Sequence, residues 1–324
     1  MPTVAFPLPR TRMELGLARM VRQWHRWRPA ALEACPPQHF TCHDIPAVTG
    51  DVPAPPTAAV PRIVWTYWDD AHPPSLVRAC LESWLEHAGR FELRLLDDGN
   101  LGDWIDALPP GLERDPIRRS DWIRLDLLRR HGGIWIDASS IVTRPLDWVL
   151  EEQHATGADL VGYFLRRYTT DARFPVVENW CMAAPPGSRF IVDLHDEFTH
   201  HVLAGSNEDY IHRLVALDLY GRVRQNIEIP HYLSMHLAAQ VVMQTRGGYR
   251  MALGAAEDGP FFYHHASRWN RNALRARLLL RKAGDAVPAL IKLRKPDRRR
   301  LDTYIDAGLS LPGSLATRYL HASD

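Results

Sequence analysis

Asp121, Arg124 and Asp137 are the charged side chains whose spacing could do chemistry together. They sit in Ser120-Asp121-Trp122-Ile123-Arg124 and in His131-Gly132-Gly133-Ile134-Trp135-Ile136-Asp137-Ala138-Ser139. Residues three apart on a helix share a face. A double glycine stops a helix, and the short apolar run behind it reads as a buried strand. The pattern therefore aims all three groups at one point. A carboxylate there accepts hydrogen bonds from hydroxyls, and a guanidinium meets phosphate or hydroxyl oxygens with several donors. A carboxylate at the C-terminal end of a strand faces the crevice in which α/β sheets bind ligands, and could hold a divalent cation against a diphosphate. This chemistry suits a nucleotide-sugar and its metal ion. Plainer readings exist: Asp137 could cap the next turn, and Asp121 with Arg124 could be a local pair worth about a few tenths of a kcal/mol.

Other candidates flank them. Trp65, Thr66 and Tyr67 close a strand, Ile63 to Trp68, where a nucleotide base could stack. Alternate strand positions point opposite ways, so one of Trp65, Tyr67 and Trp68 belongs to the core. In His264-His265-Ala266-Ser267-Arg268-Trp269 a hydroxyl and an indole N–H two residues apart could both donate to a phosphate. Neighbouring histidines on a strand point apart, so one at most reaches a given metal, and such a pair can equally be structural.

The elements that must position these groups read as α/β. After Ile63–Trp68, Pro73-Pro74-Ser75 opens a helix with Leu76, Cys80, Leu81, Trp84 and Leu85 at helical spacing, and Gly89 stops it. Phe91 to Leu96 is a second strand and Asp97-Asp98-Gly99-Asn100 a turn. This β-α-β opening predicts parallel strands. Ile117 to Arg130 is the next helix, Ile134 to Ile136 a strand, and Ile141-Val142 extended. Strands are expected at Leu160–Phe164 and Trp180–Ala183, and helices at Ser188–Val202, Glu208–Leu219 and Tyr232–Gln244. Phe261-Phe262-Tyr263 reads as a last short strand. Met13 to Trp27 reads as a basic helix. Pro36-Pro37, Pro46, Pro53, Pro55 and Pro56 then mark a linker. The expected division is residues 1–57 as a helical and Pro-rich extension, 58–270 as the main domain, and 271–324 as a basic helical tail.

The chain of 324 residues is 46% apolar and 24% charged, as expected of a folded protein with a large core. Net charge is only +1, but residues 271–300 hold eleven Lys/Arg against Asp285 and Asp297, a local +9. With Leu274, Leu278 and Leu279 interleaved, that segment could rest on an anionic membrane, or be a solvated helix. Cys35, Cys42, Cys80 and Cys181 form no CxxC pair, which argues against a zinc knuckle and for a reducing compartment. No run is long and apolar enough for a membrane span, and no secretory signal is readable. A cytoplasmic location, peripheral at the inner membrane face, is expected. Trp68-Asp69-Asp70-Ala71-His72 stands where a nicotinamide enzyme would carry GxGxxG.

The order of motifs resembles the DXD-containing glycosyltransferases of family 32, the related bacterial capsular polysaccharide synthesis proteins, and the clostridial toxin glucosyltransferases. The shared pieces are Pro61-Arg62-Ile63-Val64-Trp65, Cys80-Leu81-Glu82-Ser83-Trp84, Leu95-Leu96-Asp97-Asp98, Ser120 to Arg124, Gly132 to Asp137, and His264 to Trp269. The resemblance is strong from Pro61 to about Pro145 and patchy to Trp269. It implies a GT-A-type nucleotide-diphospho-sugar transferase fold, a central mixed sheet flanked by helices. It also implies a hexosyltransferase, retaining in stereochemistry, that moves a sugar from a nucleotide-sugar to a saccharide or lipid-linked glycan in surface polysaccharide synthesis. No nucleic acid is expected as a partner. By carry-over, Asp121 and Arg124 with Ser120 hold the donor sugar. Asp137, with His265, binds Mn²⁺ or Mg²⁺; Ser267 and Trp269 meet the diphosphate; Trp65, Thr66 and Tyr67 lie at the base. The DXD pattern wants a carboxylate at position 139, and Ser139 stands there instead. That points to the capsular branch and to weak or dispensable metal binding. It also motivates the alternative of an inactive domain serving as a nucleotide- or glycan-binding scaffold.

Overall fold

The computed structural model describes residues 9–48 and 58–321. Its strands are β1 (Phe40–Asp44), β2 (Ile63–Tyr67), β3 (Glu92–Leu96), β4 (Gly133–Ile136), β5 (Ser140–Val142), β6 (Leu160–Phe164), β7 (Val177–Ala184), β8 (Arg250–Ala255) and β9 (Leu290–Lys292). Seven of them form one mixed sheet in the order β1-β8-β6-β7-β4-β2-β3, and β5 with β9 makes a separate pair. The pairings β2–β3, β2–β4 and β6–β8 are parallel, and β7 runs antiparallel to both β4 and β6. The C-terminal ends of β2, β4, β6 and β8 and the N-terminal end of β7 therefore share one edge of the sheet.

Both faces of the sheet are covered, so its strands read as apolar runs. Trp65, Trp135 and Met182 face a layer that includes α3 (Pro116–His131) and the helices Arg189–Glu197 and Ser234–Thr245. Val64, Ile134, Ile136 and Ala183 face the opposite layer, with Trp84, Val149 and Phe261. This is the period-two alternation of a pleated strand. α3 is held at its start by Asp115, whose side chain accepts from the Arg118 N–H, with Pro116 at the first turn. It ends at Gly132, whose N–H bonds the Leu128 carbonyl at 3.0 Å. Gly132 and Gly133 have φ of +62° and +101°, which lets the chain reverse at once into β4.

Three expectations about the chain's organisation are corrected. Phe40–Asp44 lies inside the stretch read as linker, yet it pairs with β8 along its whole length and forms the sheet edge. Its extended, proline-flanked sequence gives no local sign of a partner two hundred residues away. Pro53, Pro55 and Pro56 lie outside the described residues. Phe261-Phe262-Tyr263 is not a strand: Phe262–Ala266 is a short helix, and three aromatics are too few to set a period. Nor do residues beyond 270 form a tail. Leu274, Leu278 and Leu279 are buried with Leu76 and Cys80 of α2 (Ser75–His87), so they offer no apolar face to a membrane. β9 pairs with β5 immediately after Ser139. Among the described residues no helix is long and apolar enough to cross a membrane.

Candidate active site

A cleft of about 800 Å³ opens at the shared strand edge. Asp121 and Arg124 reach it from α3, Asp137 from the end of β4, and Glu178 and Asn179 from the start of β7. Arg124 joins the carboxylates: Nη1 donates to Asp121 Oδ1 at 2.5 Å and Nη2 to Asp137 Oδ1 at 2.9 Å. Its guanidinium lies over the Trp135 ring, 4.9 Å from the centroid, while the Trp135 indole N–H donates to Asp137 Oδ1 at 3.0 Å. Asn179 Nδ2 donates to Asp121 at 3.1 Å. Every one of these groups comes from a rigid element, which is what a site of fixed geometry needs.

The two carboxyls are tuned in opposite directions. Burial pushes Asp121 up, with Arg124 opposing it. Burial pushes Asp137 the same way, but the Lys292 ammonium and the Arg124 guanidinium outweigh it and hold the carboxyl below its usual range. Lys292 lies in the region expected to be a tail. Its Nζ donates to Asp137 Oδ2 at 2.7 Å and to Ser139 Oγ at 2.9 Å. In the sequence its one local sign is a lone charge within the apolar run from Val287 to Leu293.

Tyr67, Ser120, Ser139 and Trp269 line the cleft. Tyr67 donates its hydroxyl to Asp98. Arg268 and Trp269 both have left-handed backbones, φ 51° and 59°. For non-glycine residues this costs on the order of 1–3 kcal/mol each and accompanies functional positions. The indole ring of Trp269 is covered by the guanidiniums of Arg167 at 4.5 Å and Arg294 at 5.0 Å. Arg294 is held by Asp297, and Asp297 by the buried His264.

Four candidates are not at the cleft. Trp65 is fully buried and donates to the Gly132 carbonyl at 2.8 Å, so it is a core aromatic packed on Trp104 and His131. Thr66 is buried beside it. Ser267 is buried without lining the cleft, and His265 is exposed outside it. A base or diphosphate in the cleft is instead offered Tyr67, Trp68 and Trp269. His231, Tyr232 and His236 supply further polar and aromatic lining.

Mn²⁺ or Mg²⁺ does not fit these residues. Both oxygens of Asp137 are engaged by cationic donors, Ser139 brings no charge, and His265 faces away. Among the described residues no group of three or more His, Cys, Asp or Glu could hold a metal ion.

A family model described as "Capsular polysaccharide synthesis protein" matches residues 51–212, half of the chain. The chain belongs to the capsular polysaccharide synthesis protein family. The match spans Asp121, Arg124, Asp137, Glu178 and Asn179 and stops short of Trp269 and Lys292. No curated protein matches this family member. Among solved structures, the PaToxG glycosyltransferase is similar at 13% identity and a TM-score of 0.30, over 60% of this chain and 90% of that one. A likeness that loose carries no argument about the site of this capsular polysaccharide synthesis protein.

Proposed function

We propose that this protein transfers a sugar from a nucleotide-sugar donor to a hydroxyl of a saccharide or lipid-linked glycan, in the manner of a GT-A glycosyltransferase. The observation that carries the reading is Arg124, clamped between Asp121 and Asp137 on the floor of a cleft at the C-terminal strand edge, in a capsule-synthesis family member. In the reaction, the bond from the anomeric carbon to the phosphate oxygen breaks, and its electron pair leaves with the nucleoside diphosphate. The acceptor hydroxyl oxygen bonds to that carbon, and its proton passes to the departing phosphate oxygen. Attack from the leaving-group side retains configuration and needs no separate base. The protein's contribution is positioning and stabilisation of the charge that develops on the diphosphate. Asp121 and Asn179 receive the sugar hydroxyls. His231, Tyr232 and the Glu178–His236 pair, 3.4 Å apart, face the acceptor.

The test is a panel of nucleotide-sugars scored by thermal shift, followed by an assay of diphosphate release. One donor is expected to raise the unfolding midpoint by mass action and to be consumed when acceptor is supplied. Binding without turnover under any acceptor would favour the scaffold alternative. No binding by any donor would remove the reading altogether.

A further inference from the structure

The cleft wall that follows β9 is basic and lies outside the family match. Lys292 closes β9 and sits between Asp137 and Ser139, 2.7 and 2.9 Å from their oxygens. Its side chain is only 8% exposed, yet it lines the cleft. Arg298, on the short helix Lys295–Arg298, also faces the cleft. Among the described residues its side chain makes no hydrogen bond or ion pair, and its Nε is buried without a hydrogen-bond partner, although the Asp137 and Asp297 carboxylates are near enough to act on its charge. Its guanidinium lies over the face of Trp68, 5.5 Å from the ring centroid. Lys292 and Arg298 lie close enough for each to feel the other's charge. Two fixed positive charges, one of them with no carboxylate in direct contact, thus converge on the cleft beside a DXD-like motif that has Ser139 in place of its second carboxylate. A half-buried cation that no carboxylate contacts directly is costly, and an entering anion relieves it. A divalent ion at Asp137 would have to displace the Lys292 ammonium or be repelled by it.

We infer that Lys292 and Arg298 hold the donor diphosphate and carry the positive charge that a metal ion carries in two-carboxylate sites. The inference rests on the nucleotide-sugar reading above. The bond from sugar to phosphate then breaks against two side-chain cations, and the negative charge left on the diphosphate is met by ammonium and guanidinium donors.

The experiment is calorimetric titration of the full chain with UDP, GDP, ADP and CDP, each in EDTA and in Mn²⁺. One nucleoside diphosphate is expected to bind in EDTA, within about twofold of its affinity in Mn²⁺. K292M and R298M are each expected to weaken it by roughly tenfold to a hundredfold, the scale of a charge-assisted hydrogen bond, while affinity for the matching nucleoside is unchanged. S139D/K292A, which rebuilds two carboxylates, is expected to make binding depend on Mn²⁺. Arg298 has no hydrogen-bond partner to orphan, so R298M keeps the test decisive if K292M does not fold. Binding of the parent only in Mn²⁺, or parental affinity in R298M, overturns the inference and leaves the donor reading standing. No binding of any nucleoside diphosphate in either buffer overturns the donor reading itself.

A separate observation concerns α1 (Pro9–Trp27). Leu15 and Ala18 pack on the C-terminal apolar cluster, and Glu14 reaches Arg300 and Tyr304. The other face is bare: Met13, Leu17, Met20, Trp24 and Trp27 are 79, 60, 65, 59 and 77% exposed. Steps of four and three residues align them in one stripe. Exposed Arg19 and Arg26 stand roughly a quarter-turn beyond the stripe's nearer edge, toward the side of Leu15, and Glu14, the helix's one acidic residue, is turned inward. We infer that α1 lies in the headgroup region of an anionic lipid surface, stripe inward, with its arginines on the lipid phosphates.

Co-sedimentation of the full chain with vesicles tests this. Binding is expected with phosphatidylglycerol-containing vesicles, and not with pure phosphatidylcholine. L17E/W24E is expected to lose it by about tenfold or more, and R19Q/R26Q to lose the preference for anionic lipid. Failure to pellet with anionic vesicles, or unchanged pelleting of L17E/W24E, overturns the inference. So does a dimer that L17E/W24E dissociates while no vesicle is bound, since the stripe then belongs to a second copy of the chain.

Discussion

Arg124→Met is expected to lower sugar transfer by about 10³-fold or more and to destabilise the fold by roughly 3–5 kcal/mol, the cost of removing one partner from a buried ion pair. Both effects come from one guanidinium serving two carboxylates. With Arg124 gone, Lys292 still neutralises Asp137, but Asp121 keeps only the neutral amide of Asn179. Burial already pushes the Asp121 carboxyl up, and the variant drives it to take a proton. A neutral Asp121 is a weaker acceptor for sugar hydroxyls, and the fixed charge near the breaking bond is lost as well. Removal of one such group costs about 10²–10³ in rate. Arg124→Lys is expected to recover stability in part and activity little, because one ammonium cannot present two parallel donors to two acids. Initial rates of diphosphate release and urea unfolding of the same samples measure both. Activity of Arg124→Met within tenfold of the parent would show that the clamp is structural only.

Gly133→Ala is expected to cost roughly 3–5 kcal/mol, enough to empty the folded state of a marginal protein. The residue has φ +101°, and a methyl group there would stand 2.7 Å from the Ile63 carbonyl oxygen and 2.9 Å from Trp65 Nε1. Neither neighbour can give way. Ile63 begins β2, which pairs with β3 on one side and β4 on the other. The Trp65 indole is pinned to the Gly132 carbonyl. Gly221→Ala is the matched control: its methyl meets nothing within 4 Å, and its effect is expected within about 0.5 kcal/mol. Unfolding midpoints of the two variants and the parent decide the matter. Equal midpoints would show that the turn from α3 into β4 relaxes freely.

What could be read from the sequence was local. The helix period, the glycine pair and the strand after it all lie within Ser120 to Ser139. They bring Asp121, Arg124 and Asp137 together because each step constrains the next. The β-α-β start follows from similar short-range signals, whereas the mixed sheet flanked by helices was implied by the family resemblance and not by any local pattern. The aromatic positions of β2 were less legible. Trp65 and Tyr67 share a side of the strand, and depth alone separates them. Trp65 lies two residues below the edge and is core, while Tyr67 and Trp68 reach the cleft. Lys292 was illegible in a different way. Its role depends on β9 lying against β5, a pairing that no nearby residue announces. The charge count of residues 271–300 is real, but its meaning depends on which side chains are buried. The leucines pack on α2, and several of the cations turn toward the cleft rather than outward.

The β5–β9 pairing also fixes when the site can exist. A ribosome that has made residues 51–212 has made both carboxylates and the arginine between them. It has not made the ammonium that meets Asp137, which lies 155 residues further along the chain. Until Leu290–Lys292 is synthesised and laid against Ser140–Val142, the carboxylate at the end of β4 waits with one cationic partner. A piece cut to the limits of the family match, however well it folds, therefore carries an unfinished site.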